Sequence, residues 1–359
     1  MKKASNLLIT LLFSLALGAG LLALVLFPSP DVLRSERRKP APPPALSDLN
    51  GGKWMRSWES YLADKFPLRE QLRTLRAFTT LYLLGQTDKD GLYLEQGHAG
   101  KFEPLNETSA RRSAELIARL AANYPEQQVY YAVIPDKSIY ARRKFPGLDP
   151  ARLREITAPV LADLIEIDLV PALSLESYYR TDLHWDQAML RPVVEALGEG
   201  MGFTARWEFT PRKLGSFHGI YPGQMALPMP FDEMTVLESM DGAAARYFDA
   251  KAMGFVPGPV YHNGKVAGRD PYDVFLGGAQ ALITLDNPNN PDGRELYLFR
   301  DSFGSSIAPL LLPYYSRVTL IDLRYINARI LPEYITFSPG ADVLFLVGWQ
   351  MFNANTWML

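Results

Sequence analysis

The chain contains no cysteine. Disulfides, thiolate metal sites and a cysteine nucleophile are therefore excluded, and export needs no redox management. Histidine is nearly as scarce, at four in 359 residues. His98, His218 and His262 are scattered, with no HExxH and no paired ligand spacing, so no metal and no cofactor is expected. An excess of either charge is lacking too: the formal net charge is −2 and no basic cluster is interleaved with aromatics, which argues against nucleic acid as a partner. Glycine repeats of the phosphate-cradling type are absent. Asp182 with Asp186, or Asp136 with Asp182, has no spacing that favours a carboxylate pair for glycoside cleavage. What is present is core material. Hydrophobic residues make up 48% and aromatics 12%, enough for one large domain or one domain with insertions.

Lys2 and Lys3 precede an uncharged run from Leu7 to Phe27. At ~1.5 Å per residue it spans ~30 Å, one hydrocarbon thickness. A cleaved signal peptide is the rival reading, since Gly18-Ala19-Gly20 offers small residues. Cleavage there would leave Leu21 to Phe27 as a greasy new terminus, which favours an uncleaved anchor. Arg34, Arg37, Arg38 and Lys39 run against a simple positive-inside reading. A short tail before one apolar span nevertheless acts as an export signal, which places the bulk of the chain outside the cell. Residues 1–27 are thus read as a cytoplasmic tail and single membrane anchor. Residues 28–49, carrying Pro28, Pro30, Pro40, Pro42, Pro43 and Pro44, are a semi-rigid spacer.

Residues 50–359 form the extracytoplasmic domain. Its first part reads as two amphipathic helices, broken at Phe66-Pro67-Leu68-Arg69, that pack Trp54, Trp58, Tyr61, Leu72, Leu75, Phe78 and Tyr82 into a core; membrane-surface contact is the lesser alternative. Short strands follow at 91–94 and 100–102. Helices at 109–123 and 151–164 alternate with strands at 128–134 and 165–169. The same rhythm returns with strands at 296–299, 318–323 and 343–347, and with helices after Ser302 and near Ile330. Alternation of this kind implies an α/β fold with a mostly parallel sheet flanked by helices, and sites beyond the carboxyl ends of its strands. Residues 203–271 break the rhythm and read as an irregular insertion with small antiparallel strands, covering the site.

Two stretches carry chemistry. Arg300-Asp301-Ser302-Phe303-Gly304 lies between a buried strand and a helix start, where a hydroxyl sits near helix N–H groups. A helix cap is the plainer use of that serine. In Thr181-Asp182-Leu183-His184-Trp185, extended backbone would put Asp182 and His184 on one face, roughly 6–7 Å apart. Asp182 could then fix the tautomer of His184, leaving its other nitrogen free to take a proton, with Trp185 as a wall against water. Ser302 would complete a Ser-His-Asp triad. Gly277 and Gly278 offer either oxyanion-hole N–H groups beside that of Ser302 or a tight turn, and Arg300 is a further site-lining candidate.

These motifs, with Asp270-Pro271-Tyr272-Asp273-Val274-Phe275-Leu276-Gly277-Gly278, the tail from Leu312 to Tyr325 and the early Asp64-Lys65-Phe66-Pro67-Leu68-Arg69, resemble the DHHW protein family across roughly residues 50–359. That family is similar to the SGNH-hydrolase-like proteins that O-acetylate alginate. The resemblance implies a membrane-anchored extracytoplasmic SGNH-like (flavodoxin-like) domain in which Asp182, His184 and Ser302 take the catalytic roles. It also implies acyl transfer to, or ester cleavage from, a cell-surface polysaccharide, with a membrane-bound acyltransferase as a possible partner. Leu183 departs from the family's histidine at that position. A non-catalytic glycan-binding or assembly protein on the same fold is the alternative.

Overall fold

The computed structural model describes residues 2–26, 30–45, 52–143, 147–239 and 242–357, and divides into two compact units. The first holds residues 1–90 with 220–229, the second residues 91–219 with 230–359.

The first unit begins with α1 (Lys2–Leu26), continuous because its leucines and alanines favour helix and no proline interrupts them. Within it, Asn6–Leu24 is long and apolar enough to cross a membrane, with mean hydropathy 2.5. Residues 33–41 of the expected spacer are fastened to the helix that follows. Arg38 forks two 2.6 Å hydrogen bonds onto Asp64 of α2 (Lys53–Lys65), and the Ala41 N–H donates to the same carboxylate. A buried carboxylate needs such partners, and proline content alone does not reveal them. Pro28, Ser29 and residues 46–49 of the expected spacer lie outside the described residues.

α2 stops where Phe66, extended ahead of Pro67, cannot continue a helix. α3 (Arg69–Phe78) resumes and runs into a π-helical turn, Thr79–Leu83, followed by a two-residue strand β1 (Asp88–Lys89). The expected core packing of this pair is not found. α2 buries only Asp64 and α3 only Ala77, while Leu72, Leu75, Phe78 and Tyr82 face outward. Helical period specifies a face, not what covers it.

The second unit opens with the hairpin β2 (Leu92–Glu95) and β3 (His98–Lys101). Then come α4 (Glu107–Ala121), capped by Asn106, β4 (Gln128–Ile134), α5 (Pro150–Thr157), β5 (Ile165–Glu166), α6 (Arg191–Met201) and β6 (Phe209–Phe217). α5 ends seven residues before the expected position, since Pro159, directly after Ala158, has no N–H with which to continue the helical ladder. The short helix α7 (Tyr221–Met225) belongs to the first unit. The chain continues with β7 (Asp232–Ser239), β8 (Ala244–Asp249), β9 (Gly254–Gly258), β10 (Leu282–Asp286), β11 (Glu295–Arg300), α8 (Gly304–Leu311), β12 (Arg317–Ile321), β13 (Asp342–Gly348) and α9 (Trp349–Ala354).

The main sheet has eight strands in the order β5-β4-β13-β11-β12-β10-β8-β9. The first five are parallel; β10, β8 and β9 extend the sheet in antiparallel fashion. Strands of the expected insertion therefore follow two courses. β6 and β7 pair only with each other, whereas β8 and β9 join the main sheet. Successive residues of β11 point to opposite faces: Leu296 and Leu298 pack with α6 and α8, and Tyr297 and Phe299 pack with α4 and α9. A third, smaller core joins Tyr179 to Phe217, Met234, Tyr272 and Phe275, so the insertion packs on the loop that carries Asp182.

Candidate active site

Three neighbouring parallel strands, β4, β13 and β11, end at the same edge, and the site is built there. Leaving β11, the chain turns through Asp301 and Ser302 into α8. Asp301 is buried and pins that turn: Oδ1 accepts the Phe303 N–H at 3.0 Å, and Oδ2 accepts the N–H of Gly348, the last residue of β13, at 2.7 Å. Burial raises the Asp301 carboxyl above its ordinary range. Gly348 is required by this approach, because a Cβ there would lie 2.9 Å from Asp301 Oδ2. Arg300 does not line an opening. Its buried guanidinium donates to the Asp301 carbonyl at 3.2 Å and lies 3.3 Å from Asp322, bracing the turn from beneath.

The Asp182–His184 segment is a closed loop, not the extended strand expected from its spacing. Tyr178 bridges Trp185, the Tyr179 N–H donates to the His184 carbonyl, and the Asp186 N–H donates to the Ser177 carbonyl. The two side chains meet because Asp182 turns back on its own chain: Oδ1 accepts the backbone N–H of His184 at 3.2 Å and lies 2.6 Å from the ring Nδ1. Two remote residues hold this loop. Lys137, just past β4 and fully buried, donates from Nζ to the carbonyls of Tyr179 and Asp182 at 2.9 and 2.7 Å. Burial depresses its ammonium to about 8. Asp232, at the head of β7, accepts both the Arg180 and Thr181 N–H groups at 2.8 Å and the Thr181 hydroxyl as well.

His184 Nε2 lies 2.7 Å from Ser302 Oγ, within the 2.6–3.2 Å that proton transfer requires, although 118 residues separate them. Asp182 and His184 are buried, while Ser302 is half-exposed. One hydrogen-bonded chain thus runs from a buried carboxylate through an imidazole to an accessible hydroxyl. The Ser302 N–H donates to no protein acceptor among the described residues and lies two residues before α8, open to an external acceptor. Gly277 and Gly278 lie in a tight turn. Both have positive φ, and the Gly278 N–H is engaged with the Phe275 carbonyl.

Two flanking rings were not picked out in the sequence. Tyr272 stacks on the His184 imidazole at 3.7 Å between centroids and 7° between planes, and Phe303 leans on it at 4.9 Å. Their proximity depends on tertiary packing, although Tyr272 lies inside one of the quoted motifs. Trp185 is buried behind Phe303, and both Trp185 Nε1 and the Tyr272 hydroxyl donate to Ser306 Oγ in α8. Among the described residues, no group of three or more histidine or acidic side chains could hold a metal.

The fold, a mostly parallel sheet flanked by helices with a serine beyond a strand's carboxyl end, is SGNH-hydrolase-like. The particular likenesses are to solved structures. A DHHW family protein from Eubacterium siraeum superposes with a TM-score of 0.59 at 17% identity, over 76% of this chain and 97% of that one. Bacillus cereus PatB1 gives 0.58 at 15% identity, over 73% of this chain and 96% of that one. PatB1 with a sulfonyl adduct gives the same TM-score and identity. No family model matches the chain, and no curated protein matches it. At these identities the likeness establishes the fold, and it is the fold that the sequence motifs imply.

Proposed function

We propose that this protein is a membrane-anchored, extracytoplasmic serine-type acyl (acetyl) transferase or esterase that acts on a cell-surface polysaccharide. The observation that carries the reading is the chain Asp182 Oδ1–His184 Nδ1 at 2.6 Å and His184 Nε2–Ser302 Oγ at 2.7 Å. His184 takes the Ser302 proton as Oγ attacks the acyl carbonyl carbon. Asp182 holds the imidazole in the correct tautomer and stabilises the imidazolium that forms. The tetrahedral oxyanion faces the Ser302 N–H. As the intermediate collapses, His184 returns the proton to the leaving group, and Ser302 keeps the acyl group. A sugar hydroxyl or water then gives its proton to His184, attacks the acyl-serine, and releases Ser302 with its proton restored.

In this reading α1 is the anchor, the acyl group comes from a membrane-bound acyltransferase partner, and the aromatic-rich insertion faces the polysaccharide. The fold shared with PatB1, a protein seen with a sulfonyl adduct, makes an aryl sulfonyl fluoride the natural probe. Intact-protein mass spectrometry is expected to show a single adduct, mapped to Ser302 and absent from Ser302→Ala and His184→Ala. A wild type that stays unmodified yet binds polysaccharide would instead identify a glycan-binding protein on this fold.

A further inference from the structure

Helix α3 is inside out. A helix in water turns its arginines outward and its leucines inward. Here the side chains of Arg69 and Arg73 are only 15% and 18% exposed. They are held by Glu36, Asp64 and Glu70 and by the carbonyls of Gly223 and Gln224, all within the first unit. Leu75 and Leu83 are 61% and 74% exposed, and Leu68, Leu72, Phe78, Tyr82 and Leu84 share the outward side. Leu75, Phe78 and Tyr82, with Leu227 and Pro228, also line a mostly apolar groove of about 770 Å³.

We propose that this face of α3 and its π-helical turn lies against lipid, at the surface of the same membrane that α1 enters; the inference rests on the reading of α1 as an anchor. Continuity argues for lipid. A Cβ built on Gly20 of α1 would sit 3.8 Å from the Phe66 ring, three residues before α3. Gly20 lies four residues short of the end of the apolar span at Leu24, which is ~6 Å along the helix axis. Amphipathic helices bury their apolar faces ~5–10 Å into the headgroup–acyl boundary, the same depth. α2 adds Trp54, Trp58 and Tyr61 in edge-to-face contact, the residue types that belt membrane–water interfaces. Arg69 and Arg73 turned toward the protein and leucines turned away, with Arg76 left 65% exposed beside Asp90 near the helix end, suit a helix whose outer neighbour is the hydrocarbon boundary.

The absence of cysteine makes the test direct. Single substitutions Leu15→Cys, Leu75→Cys, Leu83→Cys and Lys213→Cys in the full-length chain would each carry a nitroxide, in nanodiscs of phosphatidylcholine and phosphatidylglycerol. Collision rates with oxygen, which partitions into lipid, and with a nickel chelate, which stays in water, report the depth of each label. At Leu75→Cys and Leu83→Cys the nickel collision rate should be roughly tenfold below that at Lys213→Cys, with oxygen favoured as at Leu15→Cys. Nickel access equal to that at Lys213→Cys, with Leu15→Cys in lipid, overturns the lipid face and leaves the anchor intact. Shielding from both reagents identifies a protein surface, such as a second copy, and also overturns it. Nickel access at Leu15→Cys removes the anchor and this inference with it.

Discussion

α3 and α8 are short helices that differ by two residues in length, and they put their leucines to opposite uses. In α8 every residue is buried, Pro309 included, because one face meets the sheet and the rest is closed off by α6 and the packing around Tyr315. In α3 one residue, Ala77, is buried, and Arg69 and Arg73 rather than the leucines are turned inward. Helical pattern alone does not separate the two. What separates them is the neighbour: a sheet face already lined with Leu296, Leu298 and Leu320 for α8, and a cluster of carboxylates, Glu36, Asp64 and Glu70, for α3.

The comparison is sharpened most by removing the chemistry at the head of α8. Ser302→Ala and His184→Ala should each lower acyl transfer by ~10³-fold or more, and the double variant should be no worse than either single, since members of a triad share one role. Losses that multiply would mean separate binding contacts, and turnover assays decide between the two. Next in size is the contrast in packing. Leu310→Ala, inside α8, should cost about 2–5 kcal/mol of unfolding free energy, whereas Leu75→Ala, on the outer face of α3, should cost under ~0.5 kcal/mol in detergent-free denaturant melts. Equal costs would break the comparison outright.

A third effect comes from an ionisable group that the second unit buries. Burial pushes the Asp186 carboxyl from its ordinary 3.8 up to about 6. Between those values the unfolded chain has already lost a proton that the folded chain still holds, so stability falls as pH rises. The contribution is fully present below ~4 and gone above ~6, a loss of roughly 3 kcal/mol. Melting Asp186→Asn beside the wild type across this window should show the wild type losing more; parallel curves would mean that the folded carboxyl is not perturbed. The smallest effect concerns the ring over the imidazole. Tyr272→Leu should slow acylation by roughly tenfold, the worth of an aromatic pair, while Tyr272→Phe keeps the stack and most of the rate. A phenylalanine variant as slow as the leucine one would assign the effect to the hydroxyl on Ser306 instead.

Local signals made much of the second unit legible. The strand at 128–134 matches β4 residue for residue, and the strand-to-helix turn around Ser302 follows from an apolar run, a small residue and a second apolar run. The Asp182–His184 pairing was legible in its partners but not in its geometry, because a loop closed by Asp232 and Lys137 looks the same in sequence as a pleated strand. Lys137 passed unnoticed beside Asp136, since nothing nearby in the chain reveals that its ammonium reaches carbonyls more than forty residues away. The joining of β8 and β9 to the main sheet and the outward face of α3 were illegible for the same reason. Both are set by partners distant in sequence, and residue period does not encode which partner arrives.

The clamp of Asp232 on the Arg180 and Thr181 amides has a consequence for timing. The loop that aims His184 is fastened by a residue about fifty positions downstream, and the hydroxyl it serves lies 118 residues away. Contacts that close such long segments form late, after local helices and hairpins. A folding chain therefore carries His184 and Ser302 unaligned until β7 has docked and β11 has entered the sheet. In refolding, reactivity toward a sulfonyl fluoride should lag behind the recovery of helical circular dichroism. On the proposed function, reactivity waits for the second unit to close.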